Sequence, residues 1–343
     1  MSATAQLSSN LVSVSKSVIG LGRYPKRVTV QATLFQRFSF VVLLLGMFLF
    51  AACHSGQTPE PTPTPEPAPV PAHIDTYTQF ASQYVPKRTI RVWVPEGYDA
   101  AKKYDVLYMH DGRMLFDASI TWNHQEWGVD EAMDSLVRLG AIRPAIVVGI
   151  DNMTSTADRV SEYCPDDVAQ LLPEGKALYD GLIPMKGNDY LRFLVEEVKP
   201  FIDSVYSTYP ERDHTWIMGS SCGGLISSYA LCKYPQVFAG AACMSTHSTL
   251  AIDVDHPDPD AIEAYRTYLR QHLPSNSCRL YFDRGDQTLD ANYADSQDAI
   301  NQMLLDAGWD ETHFLYRFFP GHAHVEKSWR ARLDVPLRFL LAK

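Results

Sequence analysis

The sequence predicts an α/β domain with a mostly parallel central sheet and helices on both faces. Three observations predict it. Short apolar, β-rich runs recur along the chain at 89–94, 104–109, 145–150, 215–218, 238–244, 279–282 and 314–319. Stretches with apolar residues at helical spacing separate them, and a strand–helix–strand alternation selects a parallel sheet. The segment carrying this pattern, 74–343, is roughly 270 residues, a normal length for one α/β domain.

The chain ahead of that domain has another character. Its first 52 residues hold no Asp or Glu and five basic residues, Lys16, Arg23, Lys26, Arg27 and Arg37. An apolar run at 38–52 follows and ends at Cys53. A basic stretch, an apolar core and small residues before a cut describe a secretory signal, and the run falls short of the ~20 residues of a membrane span. Ala51 and Ala52 directly before Cys53 resemble a bacterial lipoprotein signal, in which that cysteine becomes the lipidated first residue. Phe50 stands where such signals usually carry Leu. The basic region is long, and a translation start nearer Val28 or Leu34 would give a signal of ordinary length.

Residues 53–73 include "GQTPEPTPTPEPAPVPA". Proline at every second position from 59 to 71 denies this stretch helix and sheet and leaves it extended, as a stalk between a membrane anchor and a domain. These features place the protein at the bacterial cell envelope, lipid-anchored and facing the periplasm or cell surface, with simple secretion as the alternative.

Within the domain, the stretch at 128–139 carries Val129, Ala132, Met133, Leu136 and Val137 on one helical face. A second helix is lined by Tyr190, Leu194, Val198, Phe201, Ile202 and Val205, with a kink expected at Pro200. A third carries Tyr293, Ile300, Met303, Leu304 and Ala307, and Gly308 sits at the position of a C′ cap. From Cys53 onward 25 basic residues (30 minus the five above) face 40 acidic ones, a net of −15. That charge makes nucleic acid a poor partner. Five cysteines follow Cys53, too scattered for zinc spacing; one or two disulfides are compatible with an oxidising compartment. No phosphate-binding glycine loop is present, and no metal or cofactor is expected.

The segment "TWIMGSSCGG" concentrates the chemistry. A buried strand runs into a helix through Gly219-Ser220-Ser221-Cys222-Gly223, which fits G-x-S-x-G. Glycines two before and two after the nucleophile are needed where strand and helix crowd a strained turn. Centring on Ser220 would require glycine at Met218 and Cys222, and centring on Cys222 would require it at Ser220. Only Ser221 satisfies the spacing. Its side chain would sit at a helix N-terminus, where N–H groups and the helix dipole favour developing negative charge.

A serine hydroxyl needs a base, and the base an orienting acid, in the order Ser, acid, His for this class of sheet. "RLYFDRGDQTLDANY" and "RFFPGHAHVEKSW" supply them, each a strand passing into a loop. The histidine is His324 or His322, and His322 also reads as an ordinary loop histidine. The acid is Asp290, Asp286 or Asp283, of which Asp283 lies within the strand and reads as structural.

The chain resembles the bacterial "Putative esterase" (esterase D-like, enterochelin esterase-like) branch of the α/β-hydrolases, related to feruloyl and acetyl xylan esterases. The resemblance covers most of 74–343 and rests on "LYMHDGRMLFD", "EWGVDEAM", "VVGIDN", "RVSEYCP", "GSSCGGLIS", "STHS", "YFDRGDQTLDANY", "FPGHAHVEKSW" and "LDVPLRFLL". It implies an α/β-hydrolase fold with His324, three residues after the glycine of "FPG", as base, and Asp290 as acid ahead of Asp286. It also implies oxyanion donors at the backbone N–H groups of Cys222 and Arg113, the latter in "HDGRMLF" where the family has Gln. Arg113 either pairs with an anionic substrate or points to solvent. The thiol of Cys222, where the family has Met, reads first as a small buried filler.

The resemblance sets Arg159 and Glu162 of "RVSEYCP" near the site, as substrate contacts or as a structural ion pair bracing a loop. His247 of "STHS" lines the pocket or is structural. Together these readings make the protein a serine carboxylic ester hydrolase working through an acyl-enzyme. Candidate substrates are an acylated glycan, a siderophore ester or a small acyl ester. The alternatives are an acyltransferase using the same acyl-enzyme and a non-catalytic ligand-binding surface lipoprotein, though the latter needs none of Ser221, His324 and an acid.

Overall fold

The computed structural model describes residues 69–153, 155–274 and 277–343. The expected signal at 1–52, the linker up to residue 68 and the lipidation site Cys53 lie outside the described residues. An eight-stranded sheet organises the domain: β1 (His73–Phe80), β2 (Arg88–Val94), β3 (Asp105–His110), β4 (Ala145–Ile150), β5 (Thr215–Ser220), β6 (Gly240–Met244), β7 (Arg279–Arg284) and β8 (Phe314–Phe318). Their spatial order is β1-β2-β4-β3-β5-β6-β7-β8. β2 runs antiparallel to both β1 and β4, and every pairing from β4 to β8 is parallel.

Seven of these strands coincide with the apolar runs of the sequence, whose inner members are buried on both faces. β1 does not. "HIDTYTQF" is polar at most positions and exposed or half-buried throughout, as an edge strand can be. Its pairing slips between Tyr77 and Phe80, where Gln79 takes a φ of 57°. The run at 238–244 starts two residues early, since the strand begins at Gly240. There a Cβ would meet the Arg279 carbonyl.

Helices cover both faces. They are α1 (Val129–Arg138), α2 (Thr156–Tyr163), α3 (Gly187–Arg192), α4 (Lys199–Val205), α5 (Cys222–Lys233), α6 (Pro259–His272), α7 (Ala294–Asp306), α8 (Glu326–Arg330) and α9 (Asp334–Leu341). Alternating strand residues feed two cores. Val106, Tyr108 and Ile217 pack with Tyr190, Leu225, Tyr229, Tyr265 and Ile300 on one side. Leu107, Met109 and Met218 pack with Val129, Met133, Leu337 and Leu340 on the other.

Between α3 and α4 the backbone forms a π-helical segment, Phe193–Val198, which ends two residues before Pro200. Proline has no N–H to return to the preceding turn, so the expected disturbance appears as a rewound ladder rather than a broken helix. α7 ends in a Schellman arrangement: Gly308 has a φ of 84°, its N–H reaches Leu305 O, and the Trp309 N–H reaches Leu304 O.

Candidate active site

β5 enters α5 through Ser221, which takes φ 58° and ψ −126° as the residue capping the helix. That backbone is rarely adopted by a residue with a side chain and costs on the order of 1–3 kcal/mol. The surroundings hold it in place. The Ser221 N–H donates to Met244 O at 2.9 Å, and Ser221 O accepts from Gly224, Leu225 and His247 at 3.0, 3.1 and 3.1 Å.

Of the two glycines expected to be needed around Ser221, the first has a direct steric cause and the second does not. A Cβ on Gly219 would stand 2.8 Å from the Gly223 backbone and 2.9 Å from the His110 ring. One on Gly224 would stand 2.8 Å from Thr246 Oγ1, whereas Gly223 has room for a methyl, its nearest neighbour being 3.4 Å away. Gly219 and Gly224 are therefore the tightly constrained pair.

The loops after β7 and β8 lie side by side. The N–H groups of Asp286 and Gln287 both donate to His322 O, at 3.1 and 3.0 Å, and the His324 N–H donates to Thr288 Oγ1 at 2.9 Å. A Cβ on Gly285 would overlap the same carbonyl, 2.0 Å away, which explains a glycine there. This stitching sets the His324 imidazole against Asp290, with Nδ1–H donating to Oδ1 at 2.6 Å. Asp290 is fully buried, and its Oδ2 accepts from the Gly285 N–H and the Ser245 hydroxyl, each at 2.6 Å. Burial alone would raise the Asp290 carboxyl; the bond and charge of His324, with the Ser245 and Gly285 donors, outweigh it and hold the group below the ordinary carboxylate range.

Asp286 stands apart. It is exposed, and its Oδ1 takes the Gly321 N–H at 2.7 Å and the Gln287 amide at 2.9 Å, so it fastens the neighbouring loop instead of touching His324. Asp283 is buried and bonded to Arg332 at 2.9 Å, as a structural strand residue would be. His322 contributes its carbonyl to the stitching.

The β3 loop reaches the elbow through a salt bridge. Asp111 takes a left-handed φ of 58°, and its carboxylate is clasped by Arg159 at 2.7 and 2.8 Å. Arg159 also donates to Ser220 O at 3.3 Å. The expected Arg159–Glu162 pair does not form, because the two side chains of α2 diverge. Glu162 is 2% exposed and both its oxygens are held by Arg88, at 2.7 and 2.8 Å. It has no face left for a substrate, which corrects its assignment as a substrate contact.

Arg113 lies in the single turn Gly112–Met114 after β3. Its side chain, half exposed, reaches to 3.9 Å from Asp151 and lines a cavity of about 210 Å³ with Ile74, Arg91, Phe116 and Ile120. Cys222 is the first residue of α5, where an N–H has no acceptor within the helix. Its thiol is buried and burial pushes it upward, despite Arg159 nearby. All five cysteines among the described residues are free and buried. No group of three or more His, Cys, Asp or Glu side chains among the described residues could hold a metal.

His247 is buried with both ring nitrogens engaged. Nε2 meets Ala251 O at 3.0 Å, so Nε2 carries the proton and Nδ1 accepts from the Tyr293 hydroxyl at 2.8 Å. Burial, with His324 and Arg159 nearby, pushes His247 down to about 4, so it is neutral. Tyr293 in turn packs edge-on against His324, ring centroids 5.6 Å apart, and its phenol lies beside Ser221. Tyr293, Ser245, Trp329, Arg332 and Asp111 are the site residues that the sequence reading passed over. Four of them stand inside the recognised fragments, but Arg332 lies between two of those fragments.

A mostly parallel sheet with a strained serine after β5, an Asp after β7 and a His after β8 defines an α/β-hydrolase. A family model described as "Putative esterase" matches residues 82–340, about three quarters of the chain. The chain belongs to that family and is a carboxylic ester hydrolase. It is 24% identical over 263 residues to the uncharacterized protein YbbA of Bacillus subtilis, covering 75% of this chain and 93% of that one.

Among solved structures it resembles a ferulic acid esterase, with a TM-score of 0.57, 20% identity, and coverage of 79% of this chain and 99% of that one. It also resembles the enterobactin esterase of Shigella flexneri, with a TM-score of 0.57 and 18% identity, over 79% of this chain and 59% of that one. At these identities the structures speak for the fold.

Proposed function

We propose that the protein hydrolyses its ester through an acyl-enzyme on Ser221, with His324 as general base and Asp290 as its orienting acid. The observation that carries this reading is the 2.6 Å bond from His324 Nδ1 to a buried, ionised Asp290, in a molecule whose serine is held in a strained elbow. Asp290 holds the imidazole in the tautomer that leaves Nε2 free to take the Ser221 proton and stabilises the imidazolium that results. The Ser221 oxygen attacks the ester carbonyl, and the tetrahedral oxyanion draws on the N–H groups of Cys222 and Arg113. His324 returns the proton to the leaving alcohol, and water then releases the acid by the reverse sequence.

Ferulate and enterobactin belong to the names of the structural neighbours. For this chain we propose an acylated glycan, a siderophore ester or a small acyl ester. Ser221→Ala should reduce hydrolysis of p-nitrophenyl acetate by at least ~10³-fold with an unchanged circular dichroism spectrum; a variant as fast as wild type would overturn the reading. The basic stretch, apolar run and small residues before Cys53 support a lipid anchor at the cell envelope. Metabolic labelling with a palmitate analogue should mark the wild type and spare Cys53→Ala, and equal labelling would remove the anchor.

A further inference from the structure

Behind Asp290 lies a second buried charge. Arg332, in the turn between α8 and α9, is 1% exposed. Its Nη2 donates to Asp283 Oδ1 at 2.9 Å and to Ser245 Oγ at 2.7 Å, and stands 3.8 Å from Asp290 Oδ2. Its Nε and Nη1 are buried without acceptors, and the guanidinium lies 5.0 Å from the Phe319 ring centroid. Trp329 Nε1 also donates to Ser245 Oγ, at 3.0 Å.

The inventory of that hydroxyl is complete. Two N–H donors occupy the acceptor side of Ser245 Oγ, so its own proton must be given away, and Asp290 Oδ2 at 2.6 Å is the acceptor. The backbone of Ser245 is held for this purpose at a φ of 43°, with its N–H bonded to Asp283 through both the main-chain oxygen and Oδ1, each at 3.0 Å.

We propose that Ser245, oriented by Arg332 and Trp329, is a positioning residue that holds Asp290 as an aimed carboxylate, and that Asp283 neutralises Arg332 so that the guanidinium does not oppose the imidazolium on His324. The proposal rests on the Ser221–His324–Asp290 reading. Two carboxylates share one guanidinium in the resting site. When His324 takes the Ser221 proton, the buried charges balance at two of each sign. Burial raises the Asp283 carboxyl, but Arg332, the Tyr281 hydroxyl at 2.8 Å and the Ser245 N–H all favour its ionised form; with the guanidinium in contact, the pair is ionic.

The other titratable groups around His324 do not blur the readout. Tyr293 and Cys222 are pushed upward by burial, and His247 is held neutral. Arg159 is engaged by Asp111, and on the loop of His324 itself Glu326 accepts from Asn123 at 2.7 Å while His322 lends its carbonyl to the acid loop.

The test is the pH profile of kcat/KM for p-nitrophenyl acetate in Ser245→Ala, Ser245→Gly and Asp283→Asn. Without the Ser245 hydroxyl, the Asp290 charge bears more strongly on His324, and the acid limb should move up by about half a pH unit. In both Ser245 variants kcat should fall roughly tenfold, with KM within about twofold. The glycine variant separates the hydroxyl from relief of backbone strain. Asp283→Asn leaves Arg332 uncompensated and should move the acid limb down by a similar amount.

Opposite movements support the proposal. Lower rates with unmoved limbs, or limbs moving together, overturn it. Should Asp283→Asn fail to fold, the two Ser245 variants decide alone. If Ser221→Ala is inactive while the limbs stay put, the proposal fails and the triad reading stands; if Ser221→Ala is active, both fall.

Discussion

Two arginines among the described residues are buried, and they are paired differently. Arg88 and Glu162 form a closed unit in which two parallel hydrogen bonds satisfy both carboxylate oxygens, with the π-faces of Tyr190 and Phe193 within 5.7 and 5.1 Å of the guanidinium. Arg332 is shared between two carboxylates and a hydroxyl, with two nitrogens left without acceptors. The closed pair sits at the start of β2 and fastens α2 to the sheet. The open one stands behind the residue that orients His324. The first pair is neutral, one charge against one, whereas two carboxylates on one guanidinium leave a net negative charge beside His324.

The strongest way to break this comparison is at Asp290. Asp290→Asn keeps the shape but offers His324 Nδ1 an amide, and kcat should fall by about 10³–10⁴-fold with little change in melting temperature. A loss below tenfold would make the open network as purely structural as the closed pair. Glu162→Gln should do the reverse. It leaves Arg88 buried and uncompensated, and is expected to destabilise by about 3–5 kcal/mol, seen as a melting temperature lower by roughly 10 °C. Its kcat at 25 °C should stay within about threefold of wild type. Replacing both members, Arg88→Met with Glu162→Met, should recover most of that stability, because a buried pair often adds little over a packed apolar one. The smallest effect is expected at Asp286. Asp286→Asn keeps an oxygen for the Gly321 N–H, and its rate should lie within about twofold of wild type. A loss matching that of Asp290→Asn would reassign the acid.

How much of this was legible in the sequence differs from place to place for physical reasons. The inner strands are buried on both faces, so they appear as apolar runs; β1 is exposed or half-buried throughout and follows no such pattern. The strained elbow at Ser221 was legible because backbone crowding dictates glycine at Gly219, and crowding leaves a local mark. The residues alone left the acid open between Asp290, Asp286 and Asp283, since Asp286 and Asp290 lie four residues apart in one loop; the family resemblance put Asp290 first, and it is Asp290 that bonds His324 while Asp286 bonds Gly321.

Glu162 was misread because three-residue spacing on a helix suggests a pair with Arg159. Their partners lie 74 and 48 residues away in the chain, on β2 and in the β3 loop. Arg332 stands in "EKSWRARLD", which has the composition of a solvated helix end. Nothing local marks one of its charges as buried.

The main chain alone fixes Ser221: its N–H and O make four backbone bonds, and its side chain makes none of them. The elbow is thus a socket whose shape does not depend on the residue fitted into it. On the proposed mechanism, a copy with alanine there keeps the mouth of the site and loses only the cutting atom. Such an inert copy, immobilised and passed over a whole-cell extract, becomes a hook for the molecule it can no longer process, and the ester could be identified by what stays on the column.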